Sequence, residues 1–589
     1  MSKLQGTPLG MRHISRIPVA DTSSLPVVGP PQGAGVEQPT QRSAVRSSAS
    51  MAVGTLASRI LGFVKGIILG VAVAGTTVGD IFDGANYLPN LIFLLVAGGV
   101  FNAVLIPQII KASKAPDRGA DFISRLLTMA VGALLTLTIL AMVFAHPLMR
   151  LTSAFTGDQL TLAVSFGVFL LPQILFYGLY SLLGQVLNAH NSFAAYAWAP
   201  VVNNVVAIAG LLLFIGVAGS ARVAPHTVDN WTHGQTWMLA GTATLGIVVQ
   251  SVVLLIPVHR LGLRLRPTFG LRGTGLGATA RIAGWTMGTM VIGNLSFLLI
   301  MRIATIPTRY KSDGAVDPAH SIAGIFALNR ATEMYIMPHS VIALSIATVM
   351  FTNMARAAAH NDAGGLRRSL SAALRTTGVA TVFAGVALVV LAGPFGMLFS
   401  GNNQYAGRQV AITLAILAIG APFYSINFIL NRVFYAQENA KTPFVIQTIL
   451  VVLGVTTALL ASLFPPSMII YALASSYTIS NIAAAVVSHL FLRRKIGDYG
   501  RGTILRSHMR FLTAALAAGI VGDLVLAVFG GFSTTGFVWQ SITHAAVALV
   551  VVGLVMAVVY FVALRALRVR EVDDVLAPLL SRLPGRRVR

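Results

Sequence analysis

The chain has 589 residues, 55% of them hydrophobic and only 10% charged, with a mean hydropathy of +0.78. Water-soluble proteins carry about 25% charged residues, so this balance excludes a soluble architecture and makes the bilayer the main solvent. The chain has no cysteine and a net charge of +24; disulfides, thiolate metal sites and cysteine nucleophiles are excluded, and the question becomes where the cations sit.

In chain order, residues 1–47 are polar and rich in Pro, Gly and Ser, and read as a disordered cytoplasmic tail without a cleaved signal peptide. Fourteen runs of helical length follow, near 49–73, 82–110, 124–147, 160–187, 194–218, 236–257, 278–303, 322–350, 370–398, 409–431, 443–463, 468–491, 509–530 and 541–564. None alternates as a membrane barrel strand would. The fold class is therefore all-α, a polytopic membrane protein. Residues 566–589 form a basic tail that the pattern places in the cytoplasm.

The positive-inside rule tests this count. With a cytoplasmic N-terminus, 33 of the 42 Lys and Arg flank helices on the inner face. Five lie on the outer face, and four lie within helices: Arg59, Lys65, Arg302 and Arg330. Clusters such as "HRLGLRLRP" and "LPGRRVR" meet anionic lipid headgroups rather than nucleic acid.

An internal repeat divides the helices. Residues 176–191, "FYGLYSLLGQVLNAHN", and 423–438, "FYSINFILNRVFYAQE", agree at an offset of 247. Pro89 and Pro338 recur at nearly the same offset. Two six-helix lobes follow, 48–260 and 261–492, with helices 13 and 14 appended over 493–565. An even number of helices per lobe puts the repeat axis along the membrane normal, as in transporters with a site between two bundles.

Ionisable groups concentrate in the first two helices of each lobe: Arg59, Lys65, Asp80 and Asp83, then Arg302, Arg330 and Glu333, with Asp523 apart. Such groups at membrane depth face a hydrated cavity or one another. Gly62 permits a bend between Arg59 and Lys65, while Pro89, Gly98, Gly99 and Pro338 are expected kinks or gating bends. Asn90 beside Pro89 joins the candidate binding set. Arg330 and Glu333, one turn apart, are spaced to pair. There is no P-loop, HExxH or nucleophile elbow, so no bond chemistry is expected and no cofactor is called for.

The segments "ASRILGFVKG", "LPNLIFLLVAGGVFNAVLIPQIIKA", "IMPHSVIALSIATVMF" and "FYAQENAKTP", in this order, resemble the lipid II flippase family MurJ (MviN) of the multidrug/oligosaccharidyl-lipid/polysaccharide exporter group. The resemblance implies a transporter of the bacterial cytoplasmic membrane that exports the undecaprenyl-diphosphate-linked precursor, lipid II, by alternating access of a cationic cavity. It also implies a lipid-tail groove formed with helices 13 and 14. Arg59 matches a family cavity arginine, Lys65 replaces a second one, and Asp80 matches a family aspartate. The chain departs from the family at Phe93 and Glu333, where relatives have arginine, and at Gly98, where they have glutamate. Asn427 and Asn431 are candidates for a cation site that some members hold, and coupling to the membrane potential or a monovalent cation is expected. The alternative is a polysaccharide-lipid flippase or cation-coupled drug exporter of the same group, against which helices 13–14 and the two cations of the first helix argue.

Overall fold

The computed structural model describes residues 41–95, 109, 112, 117, 119–224, 226–263, 265–270, 276–311, 322–531, 533, 535–569 and 571. The expected bends at Gly98 and Gly99 and most of both tails lie outside the described residues. Apart from short connecting turns, the described chain is helical, with long helices α1 Gln41–Val73, α2 Thr77–Phe93, α3 Ala120–Val143, α4 Gly157–Ala189, α5 Phe193–Ala218, α6 His233–Arg260 and α7 Leu276–Ala304. They continue as α8 Ile325–Ala359, α9 Ala363–Val390, α10 Gln404–Ala436, α11 Lys441–Ala461, α12 Ile469–Ile496, α13 Arg501–Val528 and α14 Ile542–Ala566.

Thirteen of these are long and apolar enough to cross a membrane, each matching an expected span. The remaining span, 82–110, is described only as α2, whose 17 residues lead into residues that are not described. Two expected spans, 124–147 and 370–398, each end instead in a separate short helix, Ala145–Thr152 and Ala392–Leu398. Pro147 and Pro394 sit in the first turn of those helices, where a missing backbone N–H costs nothing. Helix starts are capped by short polar side chains: Thr76 accepts from the Gly79 N–H, Asp362 from Gly365, Asn403 from Tyr405 and Ala406, and Ser541 from His544.

The repeat is visible in the boundaries. α3 ends at Val143 and α9 at Val390, the short helices begin at 145 and 392, and α4 and α10 end at Ala189 and Ala436, all 247 apart. Packing follows the same division. One apolar core draws on buried residues 69–263 together with Phe326 and Ala406, and another on buried residues 301–569, against which Phe63, Ile67 and Tyr87 of the first half also pack. Helices α13 and α14 contribute Phe511, Ala515, Ala548, Val552 and Tyr560 to the second core.

The two halves grip each other at one end. Arg302, at the C-terminal end of α7, donates to the carbonyls of Arg150, Leu151 and Ser153, where Ala145–Thr152 ends. A cation there satisfies orphan carbonyls and complements the helix dipole. Arg309 donates to the Ala154 carbonyl, the Ala154 N–H to Thr305, and Gln159 to the Thr308 carbonyl. At Gly70 of α1 a Cβ would overlap the Phe399 carbonyl, so only glycine admits this approach of the two halves.

Candidate functional site

Helix α1 turns a small-residue face inward and leaves Val53, Leu56, Ile60 and Val64 exposed on the other side. A Cβ on Gly66 would lie 2.8 Å from the Phe399 ring, and one on Gly62 would lie 3.7 Å from the Asn204 amide. Asn204 in turn donates to the Ser58 carbonyl at 2.8 Å. The α1 helix continues through Gly62 without a break, and a Cβ there would make only ordinary contact with α5.

Arg59 reaches from α1 to α8, where its guanidinium donates to the Ser340 hydroxyl. Ser340 lies in a π-helical turn, His339–Ala343, that directly follows Pro338. The expected kink at Pro338 thus takes the form of a widened turn within a continuous helix, a geometry frequent at functional positions. His339 in the same turn is hydrogen-bonded to Ser425 at 3.1 Å and stacks edge-to-face on Tyr424 and Phe428 of α10.

Lys65 lines a cavity of about 130 Å³ together with Asp83, Asn86, Tyr177, Arg330 and Glu333. Arg330 is buried and held from two sides, at 3.4 Å from Asp83 and 2.9 Å from Glu333, with its guanidinium 5.3 Å from the Phe326 ring. Two cations and two carboxylates therefore meet in this cavity, which leaves Arg59 as the cation beyond that balanced group. Phe93 packs against Tyr177 at 5.9 Å between ring centres, so an aromatic wall stands at that departure. Asn90 is half-buried two turns beyond Asp83 and is not among the residues lining this cavity.

Asp80 sits elsewhere. Its carboxylate is fully buried at the closed end, where it accepts from the Phe326 N–H at 2.9 Å and pairs with Lys311 at 2.6 Å. Phe326 lies in the first turn of α8, so a carboxylate from the first half caps a helix of the second. Thr308 adds a contact at 3.4 Å, and the space is open only because residue 324 is glycine. Sequence reasoning missed Lys311 and Gly324 here, because neither follows a local pattern. It also missed Tyr177, although the repeat marked Tyr177 and Tyr424 as equivalents.

Two further openings lie in the second half. An apolar groove of about 570 Å³ runs between α9, α10 and α13, with His489, Tyr499, Arg501 and His508 among its lining. No residue of α14 lines it. Burial pushes the Tyr499 phenol, which lies between α12 and α13, up to about 12. Asn427 and Asn431 line a pocket of about 330 Å³ between α10 and α11. Asn431 donates to Asn427 at 3.0 Å, and Asn427 also accepts from Ser488 at 2.7 Å. Among the described residues no three His, Asp or Glu side chains come together as a metal site.

A family model described as "Lipid II flippase MurJ" matches residues 68–570. Proteins described as probable lipid II flippase MurJ are similar to the chain. The one from Buchnera aphidicola subsp. Acyrthosiphon pisum is 25% identical over 81% of this chain and 89% of the relative. The one from Rhizobium meliloti is 26% identical over 81% and 85%. Among solved structures, "Lipid II flippase MurJ, inward closed conformation" superimposes with a TM-score of 0.65 at 19% identity, covering 90% of this chain and 99% of that one. An inward-facing multidrug resistance MATE family transporter reaches a TM-score of 0.60 at 14% identity over 76% of this chain and 99% of that one.

Proposed function

This chain belongs to the lipid II flippase family MurJ, and we propose that Arg59 and Lys65 hold the diphosphate of lipid II while it crosses the membrane. The protein is a multi-pass transporter of the bacterial cytoplasmic membrane, and its substrate is lipid II. The family match decides against a drug exporter or another polysaccharide-lipid flippase, and the likeness to multidrug transporters extends to fold alone.

One observation carries the binding reading. Arg59 of the first half ends on Ser340 of the second, at the π-helical turn of α8. A guanidinium that a hydroxyl merely holds in place is available to a stronger anionic partner, and arginine matches phosphate with two parallel donors. Arg330 differs, because Asp83 and Glu333 already occupy it. Lys65 then adds a point charge beside the carboxylates rather than a fork.

The closed end supports an assignment of state as well as of site. With the N-terminus in the cytoplasm, as the 33-to-5 distribution of Lys and Arg favours, the junction of Asp80, Lys311, Arg302 and Arg309 lies on the outer side. The substrate then enters from the inner leaflet, its polyprenyl tail in the groove of α9, α10 and α13. Asp80 acts in this reading as the outer latch and not as a ligand of the substrate. Coupling to the membrane potential or to a monovalent cation supplies the direction.

Binding of undecaprenyl diphosphate to the purified protein tests the diphosphate site. A hydrogen bond to a charged group contributes roughly 1.5–3 kcal/mol, so Arg59→Ala should weaken binding by about one to two orders of magnitude. Unchanged affinity in a well-inserted variant would return Arg59 to a purely packing role.

A further inference from the structure

The diphosphate and the tail account for one cavity and the groove, but the pocket between α10 and α11 has no part in either. It is the repeat counterpart of the cavity that Lys65 lines. Tyr177 of α4 and Tyr424 of α10, 247 residues apart, line one opening each, as do Asn203 and Leu450 at the same offset. The chemistry around them has diverged. Where α4 has Tyr180, Gly184 and Gln185, α10 has Asn427, Asn431 and Arg432.

Arg432 is the informative residue. Its guanidinium lies 4.6 Å from the Phe428 ring centre and 5.5 Å from that of Phe351 in α8, and these aromatic contacts fix its plane. Among the described residues no carboxylate pairs with it. Tyr424, Asn427, Asn431, Tyr435 and Gln447 form the polar part of the pocket lining around it. The Asn431-to-Asn427 bond leaves the Asn427 amide nitrogen and the Asn431 amide oxygen without a partner among the described residues. Tyr424 and Phe428 also hold the His339 ring, next to the hydroxyl that Arg59 meets. The pocket therefore lies along the same wall of the second half as the diphosphate site.

An oriented arginine, free amide groups and the exposed ring of Tyr435 suit a polar, acidic ligand with ring surfaces. A bare phosphate would need only the cation. Taking the diphosphate reading of Arg59 as given, we propose that this pocket is the subsite for the sugar–peptide portion of the lipid II head group, with Arg432 binding a peptide carboxylate. The two halves then divide one substrate, with the diphosphate at Arg59 and Lys65 and the acidic sugar–peptide in the second half.

The test compares three ligands on the full-length protein in nanodiscs: lipid II, lipid II with its peptide carboxylates amidated, and undecaprenyl diphosphate. Arg432→Gln, which installs the residue of the repeat counterpart, should raise the Kd for lipid II about tenfold, or about 1.4 kcal/mol. It should leave the other two affinities unchanged, and Arg432→Lys should restore part of the loss. Arg59→Ala should weaken all three ligands alike. Equal weakening of undecaprenyl diphosphate by Arg432→Gln would make Arg432 a phosphate contact and overturn the proposal, as would no change with any ligand. If the variant does not insert, the wild-type protein decides: equal affinity for lipid II and its amidated form refutes the carboxylate site. Intact undecaprenyl diphosphate binding in Arg59→Ala, alongside a selective Arg432→Gln defect, would reject the diphosphate reading and keep this one.

Discussion

Gly324→Ala is the smallest change that should open the closed end. The residue precedes α8 with φ −115° and ψ −172°, a conformation alanine adopts freely, so any effect must come from space. A Cβ there would overlap the Asp80 carboxylate. That carboxylate cannot retreat without releasing the Phe326 N–H and the Lys311 ammonium, and both members of the ion pair are buried, at 8% and 0% side-chain exposure. Removing one partner of a buried pair costs about 3–5 kcal/mol because the other charge is left uncompensated, and that range bounds the cost of displacing the carboxylate. Converted at 1.4 kcal/mol per decade, that bound is a shift of about a hundred- to several-thousandfold in the balance between closed and open junctions. Because the chain has no native cysteine, spin labels at Thr156→Cys and Tyr310→Cys report on the two halves without background. Both positions are exposed at the closed end. Gly324→Ala should broaden and lengthen the measured distance distribution. An unchanged distribution, with an unchanged melting temperature, would refute the argument that Asp80 holds this junction.

Other outcomes follow from the same geometry. Asp83→Asn should impair transport more than Glu333→Gln in a liposome assay, because Asp83 is 3% exposed and Glu333 54%, and burial outweighs the shorter Glu333 contact. Gly70→Ala should lower the melting temperature, since its Cβ would strike the Phe399 backbone, which cannot rotate away; an unchanged melting curve would show that α1 shifts at little cost. Reporter fusions after residues 118, 270 and 498 should read as cytoplasmic and one after 230 as external, and an external signal at 270 would break the topology.

Much of this protein is legible in its sequence because the bilayer imposes length and hydropathy on each helix. Thirteen expected spans reappear as helices, and the 247-residue repeat that linked Tyr177 to Tyr424 also sets the ends of α3, α4, α9 and α10. The limits are physical. A hydropathy window joins α3 to the start of Ala145–Thr152, since no Lys, Arg, Asp or Glu lies between Val143 and Pro147 and only that proline marks the bend. Arg302 reads as a cation at membrane depth, but its partners are three carbonyls some 150 residues earlier. The pairing of Arg330 with Glu333 is a local i, i+3 relation and was readable; its pairing with Asp83 crosses the two halves and was not. Arg432 escaped attention because it counts as a flanking charge, and its Phe351 contact comes from another helix.

The central claim is that Arg59 engages the diphosphate during transport of lipid II. The direct measurement is flipping of labelled lipid II in liposomes, with and without a membrane potential, by the wild-type protein, Arg59→Ala and Arg59→Lys at matched insertion. The account predicts rapid flipping by the wild type, a loss of at least tenfold in Arg59→Ala as expected for one charged hydrogen bond, and an intermediate rate in Arg59→Lys. Wild-type rates in a correctly inserted Arg59→Ala protein would contradict it.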